Sequence, residues 1–228
     1  MHSPAPGLAV TIPHDTDALR LVHGNDMTKN HLRAQMKTFL GALSANERHI
    51  RSLAACQQLM GTREFRHSQT IMIFMSTPME VETSTLALKA WQEGKSIAVP
   101  RVDWNTKRMD PVEVKSLDTG MQPTGPGILE PVAGIVVPLG MIDMVVVPGM
   151  AFDRKGYRVG RGRGFYDRFL AQQDFQGVRC ALCFHEQLVA EPLPCEAHDV
   201  PMDLIVTDME VVRCHPTGHS PGKQAGGQ

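Results

Sequence analysis

A chain of 228 residues has room for one sizeable core or two small ones, and 42% hydrophobic with 21% charged residues excludes wholesale disorder. The formal net charge of -1 excludes a surface built to coat nucleic acid or an anionic membrane, while a local basic site stays open. No run reaches the roughly 18 apolar residues of a membrane span, residues 1–25 lack the apolar stretch of a secretory signal, and five irregularly spaced cysteines suit reduced thiols better than a disulfide framework. The expectation is a cytoplasmic protein.

In chain order, residues 1–27 are expected to be an extension, 28–212 one α/β domain, and 213–228 a mobile tail with little to bury. Leu32, Met36, Phe39, Leu40 and Leu43 recur at helical spacing, while Lys29, Arg33 and Lys37 fall four apart on another face, which predicts an amphipathic helix with a basic stripe. Ser44, with Glu47 three residues later and Gly61 as the stop, marks a second helix. The apolar run TIMIFMS at 70–76 predicts a buried strand. STLALKAWQEG is a helix ending at Gly94 and SIAVP the next strand, together a strand-helix-strand crossover. Residues 120–131, rich in Pro and Gly, are expected to be a loop. A strand at 143–148, a helix from Phe165, a strand at 179–184 and a last strand at 203–207 repeat the alternation. The fold class is α/β, an open, mainly parallel sheet flanked by helices.

Chemistry concentrates after the 143–148 strand. In RVGRGRG, residues 158–164, Gly160, Gly162 and Gly164 alternate with Arg161 and Arg163 behind Arg158. Free backbone N–H groups converge where a strand hands over to a helix, glycine lets the backbone approach a phosphate, and guanidinium groups add charge-assisted hydrogen bonds. Asp167 stands in the first helical turn, where a carboxylate suits a magnesium ion bridging phosphate oxygens or simply the helix dipole. Tyr166 offers a ring and a hydroxyl.

Two further segments carry polar groups. STPMEVETST, 76–85, follows the first strand, where open sheets bind ligands. There Glu80 and Glu82 can accept from an amino-substituted heterocycle or decorate a helix start, with Met75 and Met79 as soft contacts. Near the C-terminus, Asp199 can supply a second carboxylate for magnesium or begin a turn before Pro201. Cys180 and Cys183 point to opposite faces of one strand, poor geometry for a shared zinc ion. GKS at 94–96 lacks the earlier glycine of a P-loop, since Lys89 stands there.

PGMAFDRKGYRVGRGRGFYDRFL, 148–170, is similar to the Pro-Gly, Ala-Phe-Asp, Gly-x-Gly-x-Gly, aromatic-Tyr-Asp pattern of the 5-formyltetrahydrofolate cyclo-ligase family. KNHLR at 29–33, FMSTPMEVET at 74–83, GKSIAVPR at 94–101, MDPVEV at 109–114, GILEP at 127–131 and HDVPMDLIVT at 198–207 resemble further family segments, in family order. The resemblance spans residues 28–208. Phe165 departs from it, standing where some members carry a second tyrosine, and Arg163 stands where lysine or glycine also occurs.

The resemblance implies a three-layer, Rossmann-like fold and an ATP-dependent closure of 5-formyltetrahydrofolate to 5,10-methenyltetrahydrofolate, with magnesium as cofactor. By motif, Lys29, Arg33, Arg158, Arg161, Arg163, Tyr166 and the amides of Gly160, Gly162 and Gly164 bind ATP, and Lys29, Arg161 and Arg163 are the catalytic candidates. Asp167 and Asp199 hold the metal. Met75, Glu80, Met109 and Tyr166 line the folate pocket, with Trp104 beside it. The expected partners are the two substrates, without nucleic acid or membrane, in a monomer or weak homo-oligomer. The rival readings are an RNA-binding arginine-glycine segment and a relative that keeps the fold for regulation.

Overall fold

The computed structural model describes residues 28–124 and 128–214, so the expectations for residues 1–27 and for nearly all of the 213–228 tail fall outside the described residues. Its first half comprises α1 (Lys29–Ala42), α2 (Ala45–Met60), α3 (Arg63–His67), β1 (Thr70–Met72), α4 (Ser84–Gln92), β2 (Ser96–Asp103), β3 (Arg108–Val114), β4 (Met121–Pro123) and β5 (Leu129–Pro131). The second half comprises β6 (Met144–Val147), β7 (Ala151–Asp153), β8 (Arg158–Val159), α5 (Phe165–Leu170), β9 (Val178–Leu182), β10 (Leu188–Val189), β11 (Leu204–Val206) and β12 (Val211–Arg213). Thr28 and Ser44 cap α1 and α2, each accepting through its hydroxyl from the backbone N–H three residues on.

The main sheet has seven strands in the order β12-β11-β9-β6-β1-β2-β3. Its five central strands run parallel and the two edge strands antiparallel. Strand periodicity sends alternate side chains into two core layers. Met144 and Val146 join one layer with Cys180, Leu182, Leu204 and Val206, while Val145 and Val147 join the other with Ala181, Cys183 and Ile205. The first layer is covered by α1 to α4 through Leu32, Met36, Leu40, Ala55, Leu59, Phe65, Leu86 and Ala90, and the second by Phe169 and Leu170 of α5. Helices therefore cover both faces, the expected three-layer arrangement. Each buried leucine, isoleucine, valine, methionine or phenylalanine among them contributes ~1.5–3 kcal/mol. Cys180 and Cys183 fall in different layers, as the strand reading required. Burial pushes the Cys56 and Cys214 thiols up to about 12, which leaves them inert at neutral pH.

Several expected boundaries change. The strand expected over 70–76 makes a ladder only through Met72; Ile73 adds one bond to the Ala98 carbonyl at 2.9 Å, and the chain then leaves for the loop that carries Glu80. SIAVP extends to Asp103 and pairs with β3, which was not identified from the sequence and which carries Pro111, a residue uncommon inside a ladder. Pro111 stands in register with Pro100, and two prolines can face each other only at a non-hydrogen-bonded pair, where neither partner needs an amide. The 120–131 loop contains the β4–β5 hairpin. The 203–207 strand is not the last, since β12 folds back on it, and a small β10-β7-β8 sheet was also unforeseen. Among the described residues no helix is long and apolar enough to cross a membrane.

Candidate active site

From β1 the chain proceeds to β2 on one side, and from β6 to β9 on the other, although β1 and β6 are neighbours. Ligand crevices of open sheets form at such a switch point, outside the carboxyl ends of the strands. Two loops meet there. Arg161 Nη2 donates to Thr77 Oγ1 at 2.7 Å and lies 2.9 Å from Glu80 Oε1, while Glu80 Oε2 accepts from the Thr77 N–H and hydroxyl, both at 2.9 Å. Glu80 is thus fixed by its own loop and tied to the glycine-rich one.

Helix α1 delivers its basic stripe to the same place. Arg33 Nε donates to the Gly160 carbonyl at 2.8 Å and Nη1 to Asn30 Oδ1 at 2.7 Å. One turn earlier, Lys29 Nζ donates to Asp199 Oδ2 at 2.7 Å and to Glu196 Oε1 at 2.9 Å. Burial works against the Lys29 ammonium, yet these two carboxylates outweigh it and raise its pKa; burial likewise opposes the Asp199 carboxylate, and Lys29 with the Glu196 N–H outweighs it and lowers its pKa. A cleft of about 460 Å³ lined by Lys29, Asn30, Arg33, Cys195 and Glu196 opens beside these pairs. A groove of similar volume, about 480 Å³ at Gln57, Thr62 and Arg213, contains none of the expected site residues.

Inside the loop, Gly162 and Gly164 adopt φ of +93° and +64°, the left-handed region that other residues rarely enter. Arg158 is buried with Nη2 2.8 Å from Asp167 Oδ1 and its guanidinium 5.8 Å from the Tyr166 ring centre. Its Nε is buried without a hydrogen-bond partner among the described residues. Asp167 Oδ1 also accepts from the Val200 N–H at 3.4 Å, which sets Asp167 next to the Asp199 segment. Tyr166 packs against both core layers, with Met75 against the first and Met109 buried in the second. Burial first, and then the Glu80 charge, hold its hydroxyl protonated, against the opposing pull of Arg158.

The 5-formyltetrahydrofolate cyclo-ligase family model matches residues 25–208. The chain belongs to this family. It is 33% identical over 188 residues to the mouse 5-formyltetrahydrofolate cyclo-ligase, covering 78% of this chain and 92% of the relative. The Haemophilus influenzae cyclo-ligase is 31% identical over 186 residues, covering 80% of this chain and 99% of the relative. An Aquifex aeolicus 5,10-methenyltetrahydrofolate synthetase structure superimposes with a TM-score of 0.71 at 29% identity, covering 86% of this chain and 97% of the other.

In this cyclo-ligase chain the contacts pair Lys29 with Asp199, Arg33 with the Gly160 carbonyl, Arg158 with Asp167 and Arg161 with Glu80, and chain neighbours bring these pairs near one another. Two further groups make other contacts. Glu82 turns toward α2, where its Oε2 lies 2.7 Å from His49 Nδ1, and Arg163 stacks 5.1 Å over the Trp104 ring in the β2–β3 turn. Thr77 and Glu196 were not anticipated. Thr77 sits three residues before Glu80, a capping spacing that flags it; nothing local flags Glu196, whose partner is 167 residues away. The donor set fits magnesium, which takes one or two carboxylates and keeps phosphate and water oxygens for the rest. Asp167 and Asp199 each use one oxygen in the close contacts above, and the other Asp199 oxygen lies 3.8 Å from His198 Nε2. Among the described residues no three His, Cys, Asp or Glu side chains converge into a closed cage.

Proposed function

We propose that the chain closes 5-formyltetrahydrofolate to 5,10-methenyltetrahydrofolate while converting ATP to ADP and phosphate, with residues 28–212 acting as one catalytic domain. The observation that carries the reading is the convergence of α1, the glycine-rich loop and the Glu196–Val200 segment, seen in Arg33 on Gly160, Lys29 on Asp199 and Val200 on Asp167. That convergence supports the reading because it sets Lys29 and Arg33 beside the glycine-rich loop, with Asp167 and Asp199 nearby. A buried donor such as Arg158 Nε, costing about 1–3 kcal/mol when unmatched, gives a further reason to place an anion's oxygens there.

Formyl oxygen is a poor leaving group. It attacks the γ-phosphorus of ATP, the bond to the ADP oxygen breaks, and the oxygen becomes part of a phosphate ester. N10 then adds its lone pair to the formyl carbon and loses its proton, the C–O bond breaks, and phosphate departs. Phosphoryl transfer of this kind needs positioning and charge neutralisation more than an acid–base pair. Lys29, Arg33 and Arg161 supply the neutralising charge, the Gly160–Gly164 amides orient the phosphates, and Glu80, Met75, Met109 and Tyr166 hold the folate. Magnesium held by Asp167 and Asp199 supplies further charge neutralisation on phosphate oxygens when bound.

Oxygen-18 in the formyl group tests the sequence of bonds. The label is expected in the released phosphate; label appearing in water instead would show that the formyl oxygen leaves without passing through phosphorus.

A further inference from the structure

Arg168 stands outside every contact assigned above to either substrate, yet it joins the two segments that flank the site. Its Nη2 donates to the Arg163 carbonyl at 2.7 Å and its Nε to the Lys107 carbonyl at 3.2 Å. Its guanidinium lies 5.5 Å from the Phe165 ring centre, Phe165 meets Trp104 edge-on at 5.2 Å, and Arg163 stacks over Trp104 at 5.1 Å. With the Arg168 bond to the Arg163 carbonyl, these four residues close a ring of contacts, in the order cation, aromatic, aromatic, cation, between the β2–β3 turn and the glycine-rich loop. The turn is built to meet it: Asp103 Oδ1 accepts from the Asn105 and Thr106 N–H groups at 2.8 and 3.1 Å, and Lys107 takes a left-handed φ of 56°.

We propose that Arg168 is a positioning residue for the nucleotide, acting through the Arg163 backbone. The Arg163 carbonyl lies between Gly162 and Gly164, the two left-handed residues of the loop. Glycine carries the largest backbone entropy of any residue, so a loop with three of them holds a phosphate-binding shape only when anchored from outside. Arg33 anchors its first carbonyl, at Gly160, and Arg168 anchors the end that leads into α5 and Asp167. A planar guanidinium reaches two carbonyls and a ring face at once, which an ammonium does not. The ring also explains why Arg163 stacks on Trp104 instead of joining Arg161: its side chain braces the loop. Glu80 keeps its two Thr77 bonds on the β1 side even where Arg161 shifts with the loop, so loss of Arg168 is felt by the nucleotide before the folate.

The inference rests on the reading of the loop as the ATP site, and the test separates the two. Arg168→Met, Arg168→Lys and the unmodified chain are compared by steady-state kinetics with each substrate varied, by calorimetric binding of a non-hydrolysable ATP analogue, and by thermal melting. Arg168→Met is expected to raise KM for ATP about tenfold and weaken analogue binding to match, with KM for 5-formyltetrahydrofolate and the melting temperature nearly unchanged. Arg168→Lys, which keeps one donor, falls between the two. An unmodified chain that binds no ATP analogue overturns the phosphate-site reading and the positioning role with it. If the unmodified chain binds, the positioning role alone is overturned by an unchanged ATP KM in Arg168→Met, or by equal losses for both substrates accompanied by a lower melting temperature.

Discussion

Asp167→Asn lowers turnover by about 100-fold and raises the magnesium concentration needed for half-maximal rate, because a neutral amide is a far weaker ligand for a hard cation than a carboxylate. Asparagine separates that effect from folding. The Arg158–Asp167 pair is largely buried, with side-chain exposures of 5% and 14%, so Asp167→Ala strands the guanidinium and costs about 3–5 kcal/mol of stability. Asparagine keeps an oxygen for Arg158 Nη2 and for the Val200 N–H and loses only the countercharge, so its cost is smaller, about 1–3 kcal/mol. Magnesium titrations of both variants beside denaturant unfolding give the check. Normal kinetics for Asp167→Asn at limiting magnesium would remove Asp167 from the metal site and leave it as the partner of Arg158.

Glu80→Ala raises KM for 5-formyltetrahydrofolate by about thirtyfold or more, the loss expected when a charge-assisted hydrogen bond worth roughly 2–3 kcal/mol is removed from a partly buried pocket. The KM for ATP moves far less. Removing Glu80 releases Arg161 from one of its two partners, but the Thr77 hydroxyl still holds it at 2.7 Å, so the phosphate side of the cleft keeps its cation. Kinetics with each substrate varied in turn settles the assignment. An equal loss for both substrates would mean that Glu80 serves as the anchor of Arg161 and not as a contact to the pterin ring.

The parts of this site that were legible in the sequence are those carried by local pattern. Lys29 and Arg33 announce themselves as a basic stripe because they fall four apart on a helix whose other face is Leu32, Met36 and Leu40. The strand β6, the alternating glycines and arginines, and Asp167 in the first turn of α5 form a single stretch whose order points to anion binding without naming the anion. What was hidden depends on contacts across the chain. Arg163 reads like Arg161 in sequence, and its stacking partner, Trp104, lies in a turn leading to β3, a strand not identified from the sequence. Glu82 reads like Glu80, but Glu80 is gripped by Thr77 and Arg161 whereas Glu82 faces His49 on α2. The β4–β5 ladder was hidden in the same way, since the Pro and Gly content of 120–131 suggests a loop and says nothing of a short antiparallel pairing within it.

Ring closure itself is followed by the absorbance of 5,10-methenyltetrahydrofolate, with 5-formyltetrahydrofolate and magnesium present and ATP either supplied or withheld. A rise that requires ATP and is accompanied by one ADP per product formed is the predicted result. A folded protein that gives no rise with ATP, or the same rise without it, would contradict the assignment of the glycine-rich loop to an ATP-driven cyclisation.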